Sequence, residues 1–303
     1  MGYLFLLLAD LAGITKAAVM KGVGKACPGE YNSVRVNGLR GLICVAVSGA
    51  IFWLSGAEAG RGHGWIWLLS GLSNAVMMFV WILCAQRIGL VFVETFCMIG
   101  AVAIPMLLAP LLYEGERVSP GQWLGAACLL AAVAALSAKP KTAGPDGKKP
   151  GKRGRFALAG CIALLILSNV GVSVTQKLYP ARVGKEYTPY FNLMTFGVVF
   201  LCFAAVLLAG KLGKKKPLRP EGGVSGKKLG ALVSVAAVMI YANQYFATQA
   251  AAALPSAVYY PLSRGVGMIL TAVCDAVIFR QKLTRSTGIG VALLCASILL
   301  TNL

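Results

Sequence analysis

Histidine and acidic residues are scarce in this chain. One histidine, His63, and ten acidic side chains serve 303 residues. That is too few for the clustered ligands of a zinc site. It is also too few for the paired acids or nucleophile–base sets that an intramembrane enzyme working on lipid-linked groups would need. The nine cysteines, Cys27, Cys44, Cys84, Cys97, Cys128, Cys161, Cys202, Cys274 and Cys295, show no CxxC or metal-ligand spacing, and eight fall inside apolar runs. They read as small packing residues rather than as a disulfide framework. No GxxxxGK[ST] phosphate loop occurs, so no step driven by nucleotide hydrolysis on this chain is expected. Met1 to Lys21 lacks a basic leader and carries Asp10, so it is expected to persist as a helix rather than be cleaved as a signal peptide. Leu6 stands where a myristoylation pattern needs Ser or Thr. Neither a cofactor nor an enzymatic activity is expected.

Polar surface is scarce as well. The chain is 58% hydrophobic with a mean hydropathy of +0.75, which leaves too little polar area to coat a soluble globule of this length. Apolar runs near the roughly 20 residues that cross a bilayer fall at 3–22, 36–55, 65–86, 90–112 and 121–138, then at 156–178, 189–209, 229–250, 255–278 and 285–302. They are continuous, without the ten-residue alternation of barrel strands, so helices follow. The expected fold is an all-α membrane protein with ten transmembrane helices.

What the chain has in excess is positive charge, +19 at neutral pH. Ten spans put alternate loops on opposite faces. The face with the odd-numbered loops holds 22 Lys and Arg, and the other holds only Arg61, Arg117, Arg182 and Lys185. By the positive-inside rule the basic loops are cytoplasmic and both termini face outward. The excess then marks topology, with anionic lipid headgroups as secondary partners, and no nucleic-acid role is expected. The plasma membrane of a prokaryote is the expected location.

Residues 139–155, KPKTAGPDGKKPGKRGR, have nothing apolar to bury and read as a cytoplasmic linker between two halves, 1–138 and 156–303. The halves echo each other. Lys21 and Glu30-Tyr31 recur as Lys177 and Glu186-Tyr187, and Glu116-Arg117-Val118-Ser119 with Gly125 recurs as Gln281-Lys282-Leu283-Thr284 with Gly290. Five spans per half is an odd number, so the second copy enters the membrane from the opposite side. That is an inverted repeat, the scaffold of many alternating-access transporters.

The stretch AIPMLLAPLLYEGERVSPGQWLGAACLLAAVAALS, Ala103 to Ser137, resembles the EamA-type signature of the drug/metabolite transporter superfamily. The likeness is carried by Gly115-Glu116-Arg117-Val118-Ser119 at the end of one helix and Gln122-Trp123-Leu124-Gly125 opening the next. The second copy, Phe279 to Thr284 followed by Gly290, is degenerate, with Gln281 where the acid would stand. The resemblance implies a secondary transporter. Its relatives export amino acids and drugs, take up metabolites, or exchange phosphorylated compounds. Many of them carry basic residues at the N-terminus and in loop 2–3, whereas this chain begins MGYLFLLLAD and has only Arg61 in that loop.

Ionisable groups inside spans are costly, at least about 2.5–3.5 kcal/mol at a helix centre, and so mark candidate sites. Arg264 lies about nine residues, some 14 Å, into the ninth span. Its guanidinium suits a carboxylate, phosphate or sulfonate; the alternative is a buried pair with Asp10 or Glu94. Tyr260 sits one turn before it. In the sixth span Asn169, Ser173, Gln176 and Lys177 share a face. Lys21 and Lys177 read either as gate residues at opposite mouths or as side chains reaching to headgroups. Glu94 and Asp10 are the proton-carrier candidates, and Glu94 is equally an ion-pair candidate. Asn74 and Trp81, with Asn243 and Gln244, either orient a substrate or bond helices together. The GxxxG of Gly121 and Gly125, matched by Ser286 and Gly290, permits close helix approach within the chain or between two copies, as in a homodimer.

The expected function is transport of a small polar metabolite or drug, anionic or zwitterionic, by alternating access and driven by an ion gradient or exchange. Substrate contacts are expected from Arg264, Tyr260, Asn169, Ser173, Trp81 and Asn243, and gating or ion coupling from Lys21, Lys177, Glu94 and Asp10. An intramembrane enzyme and a non-transporting scaffold are the competing readings.

Overall fold

The computed structural model describes residues 1–26, 30–60, 62–88, 93, 96–113, 117–137, 152–212, 225–277 and 285–301. Among them are ten α-helices and no strand: α1 Gly2–Ala26, α2 Glu30–Leu54, α3 Gly64–Ile88, α4 Ile104–Leu112, α5 Pro120–Ser137, α6 Lys152–Arg182, α7 Thr188–Leu212, α8 Gly226–Ala253, α9 Ser256–Val277 and α10 Arg285–Thr301. A π-helical turn, Ile99–Ala103, leads into α4, and a 3-10 turn, Lys185–Tyr187, precedes α7. Six stretches are long and apolar enough to cross a membrane: Gly2–Met20, Val34–Leu54, Gly64–Trp81, Leu158–Arg182, Lys185–Gly210 and Gly226–Ala253. Phe96–Leu112 and Gly288–Leu300 are apolar but shorter. The chain thus has the build of a multi-pass membrane protein.

The helix surfaces bear this out residue by residue. On α1, Leu4, Leu7 and Leu11 lie three and four residues apart and are exposed, while Leu6, Ala9 and Asp10 are buried. A water-soluble helix would reverse that pattern. With no water in hydrocarbon to take backbone hydrogen bonds, the helix meets them internally and turns its leucines outward.

Helices outrun the apolar runs where charge can reach water. α6 starts at Lys152, inside the expected linker, and ends at Arg182 beyond Pro180. Residues 139–151, the rest of that linker, lie outside the described residues. α8 starts at Gly226 rather than 229, because the Ser225 hydroxyl accepts from the Lys228 backbone N–H at 3.2 Å, a side-chain cap that hydrophobicity does not reveal.

Packing divides the helices into two compact units, Met1–Met78 with Thr175–Leu254, and Phe79–Val174 with Pro255–Leu303. Each takes helices from both chain halves. The units thus follow the packing of the helices and not the expected halves 1–138 and 156–303. In the first unit α1 lies along α8, and α2 packs on α7 and α8. An added Cβ on Gly41 would come to 3.4 Å from the Phe200 Cα, so here the α2 and α7 backbones are close neighbours. Phe196, Ala237, Ile240, Tyr241 and Cys44 form the core beneath.

In the second unit α5 packs on α10, and α9 packs on α4, α5 and α10. The Ser297 hydroxyl donates to the Gly125 carbonyl at 2.7 Å, and a Cβ on Gly121 would lie 3.6 Å from the Leu300 carbonyl. The GxxxG stripe of α5 is therefore occupied within the chain, by α10.

Candidate functional site

The expected substrate residues of the second unit gather around a pair of tyrosines. Tyr260, on the first turns of α9, is 1% exposed, and its hydroxyl lies 3.1 Å from that of Tyr113. Tyr113 donates to the Val174 carbonyl at 3.2 Å, and Tyr260 reaches the Ser173 carbonyl at 3.5 Å. Two phenols thus tie α4, α6 and α9 together at one level of α6. Tyr113 arrives there because α4 ends at it in an extended conformation, φ −123° and ψ 116°. In the sequence it reads as an aromatic at a span end, which the interface belt would claim; its burial, 6% exposed, shows otherwise.

Earlier on α6, at Asn169 and Ile166, the helix meets the π turn. The Asn169 amide nitrogen donates to the Leu165 carbonyl at 2.8 Å and to the Cys97 sulfur at 3.4 Å. Gly100, within the π turn, sits so close to α6 that an added methyl would overlap the Ile166 carbonyl oxygen and come within 2.9 Å of the Asn169 Cβ. An i→i+5 turn inserts one residue into a helix and shifts every side chain beyond it, and such turns concentrate at functional sites.

Arg264 follows Tyr260 by one turn of α9. It is half-buried and makes no hydrogen bond or ion pair to another described residue. Trp81, on α3 in the same unit, is also half-buried. Glu94 and the side chain of Lys21 lie outside the described residues. No group of three or more His, Cys, Asp or Glu able to hold a metal occurs among the described residues. The Tyr113 and Tyr260 hydroxyls and the Asn169 amide thus line one stretch of α6, and Arg264 follows one turn further along α9.

The remaining candidates belong to the first unit, and there helix packing uses them. The Lys177 ammonium, 6% exposed, donates to the Leu254 carbonyl at 2.6 Å and to the Ala251 carbonyl at 3.3 Å. These are the last carbonyls of α8, which have no helical donor of their own, and a cation there also meets the negative end of the helix dipole. The Asn243 amide donates to the Ala9 carbonyl at 2.8 Å and thereby seats α8 on α1. Asp10, on α1, is 8% exposed. The Gln176 amide donates to the Gln244 oxygen at 2.7 Å, joining α6 to α8.

The Lys177 geometry carries a measurable consequence. Lys177→Met keeps the length of the side chain and removes both donors, so a loss of about 1–3 kcal/mol is expected, seen as a lower melting temperature in detergent. A melting temperature equal to wild type would show that the ammonium does not hold the end of α8.

No family model and no curated protein matches the chain. A solved structure described only as "Crystal structure of protein" is similar over 99% of this chain and 95% of that one, with a TM-score of 0.68 and 17% identity. At that identity the likeness is one of fold, and it extends over nearly the whole helical chain.

Proposed function

We propose that this protein is a secondary-active transporter of a small polar metabolite, anionic or zwitterionic, built as ten membrane-crossing helices in two inverted five-helix repeats and related to the EamA-type carriers it resembles. The observation that carries the reading is the choice of packing partners. In one unit α2 packs on α7; in the other α4 packs on α9 and α5 on α10. Each partner stands five places further along the chain. Such pairs fit an inverted duplication about a pseudo-two-fold axis, although α1 on α8 and α2 on α8 do not follow the same spacing.

Two further features favour transport over an enzyme or a scaffold. Arg264 sits nine residues into an apolar helix with no partner among the described residues, and a cation at that depth is retained where it does a job. The hydroxyl and amide groups near it hold and orient, and no described constellation pairs a nucleophile with a base. Energy comes from an ion gradient or exchange.

Flux of labelled organic anions and zwitterions into proteoliposomes tests the reading. Saturable uptake that collapses with the imposed gradient, or accelerates with substrate inside, is expected; leak equal to protein-free vesicles across the panel would sink it. Orientation has its own test. An epitope fused to either terminus is expected to be reached by antibody on intact cells, and staining only after permeabilisation would put the termini inside.

A further inference from the structure

In the first unit α2 and α8 run the same way along each other. Val36 clusters with Leu229 and Val233 near the two helix starts, and Cys44 with Ala237 further on. Both helices begin at the edge of the membrane. Arg35 is the second residue of the membrane-crossing stretch Val34–Leu54, and Gly226 is the first of Gly226–Ala253. Between these starts lies a groove of about 310 Å³, large enough to count among ligand pockets, which hold roughly 300–1,000 Å³.

The two ends of the groove differ in chemistry. Arg35, half-buried, lines its outer end, with Lys227 and Lys228 exposed on the adjoining first turn of α8. The helix start has the same sign: the Leu229 N–H bonds the Ser225 carbonyl at 3.0 Å, the amides of Gly226 and Lys227 lie ahead of that bond, and the dipole is positive there. Leu39 and Val233 line the inner end, about 6 Å beyond Arg35 and 10 Å beyond Gly226 at the helical rise. Leu39 is 46% exposed, so the groove opens sideways to hydrocarbon. Glycine makes the room: an added Cβ on Gly226 or Gly230 meets no atom within 4 Å, although both are poor helix formers. No acidic side chain lines the groove among the described residues.

Positive charge at headgroup depth, above apolar walls open to hydrocarbon, is the complement of an anionic phospholipid. A soluble anion would use the charge and leave the walls bare, and an uncharged acyl chain would do the reverse. We propose that the groove between α2 and α8 is a binding site for one anionic phospholipid, its phosphate held by Arg35 and an acyl chain lying over Leu39 and Val233. The site shares no residue with the cluster around Arg264, and it holds whether or not the chain transports.

The test is thermal unfolding of the purified full chain in detergent, titrated with phosphatidylglycerol, with phosphatidylcholine of the same acyl chains, and with inorganic phosphate. A ligand that binds only the folded state raises its melting point. A saturable rise of several degrees is expected with phosphatidylglycerol, less than half of it with phosphatidylcholine, and none with phosphate. Arg35→Gln removes the charge, and Gly230→Leu fills the groove from a wall that has space for it. Each is expected to lose at least half of the phosphatidylglycerol rise, and Gly230→Leu to keep or raise the lipid-free melting point. Arg182→Gln removes the same charge from the exposed end of α6 and should keep the rise in full. An equal rise with the two lipids, a matching rise with phosphate alone, an undiminished rise in Arg35→Gln or Gly230→Leu, or an equal loss in Arg182→Gln would each overturn the site.

Discussion

Arg264→Ala is expected to lower transport of an anionic substrate by roughly tenfold to a hundredfold or more while the protein stays folded. A hydrogen bond to a charged group contributes about 1.5–3 kcal/mol, and bidentate contact with a carboxylate or phosphate reaches the upper end. Arg264→Lys, which keeps the charge but loses the fork, should fall between wild type and alanine. Stability separates this anchor from the competing ion-pair reading. Removing one partner of a buried pair strands the other charge and destabilises by about 3–5 kcal/mol. Removing an anchor from an empty site instead relieves the insertion cost of about 2.5–3.5 kcal/mol that an arginine carries at mid-helix. Flux in proteoliposomes together with the melting temperature in detergent decides the matter: unchanged flux, or lost flux with a sharply lower melting temperature, would remove Arg264 from the binding site.

Gly100→Val is expected to be the most destabilising change in the second unit. Its side chain would overlap the Ile166 carbonyl oxygen, a backbone atom of α6 that cannot swing aside as a side chain can. Overpacking of this kind typically costs about 1–3 kcal/mol, and more when neither partner yields. The cost falls on the π turn Ile99–Ala103 and on Asn169 with its bond to Cys97. Lower yield of folded protein and a melting temperature depressed by several degrees should follow. Gly160→Ala, on α6 with nothing within 4 Å of the added carbon, serves as the control and should be neutral or slightly stabilising, because alanine is the better helix former by about 1 kcal/mol. Equal melting temperatures for the two variants would mean that the π turn and α6 do not touch at Gly100.

The helices were largely legible in the sequence because each rests on a local property. The run 65–86 matches α3, and 189–209 lies within α7. Boundaries escaped where side-chain chemistry takes over, as at the Ser225 cap of α8. The site was legible in part. Tyr260, Asn169 and Ser173 were picked out as polar groups in apolar spans, and the structure gathers them around one stretch of α6. Tyr113 was missed, since a tyrosine at a span end looks like any interface aromatic until α9 is placed beside it.

The polar residues show why local reading stops there. Lys177 is a gate candidate in one dimension, and in three its ammonium also caps α8 through a carbonyl 77 residues away. Asn243 reads as a substrate amide in one dimension, and the fold adds a bond from its nitrogen to the Ala9 carbonyl, 234 residues back along the chain. Gly121 and Gly125 announce a close helix contact, and only the fold says that the partner is α10.

By itself, the sequence determined that this protein is helical and apolar on its outer faces, because hydrocarbon forces each backbone segment to satisfy its own hydrogen bonds and a run of some 20 residues either does so or does not. Only the tertiary structure decided which polar side chains are spent on packing and which are left unmet, because a hydrogen bond inside a helical bundle is settled by whichever distant helix comes within about 3 Å.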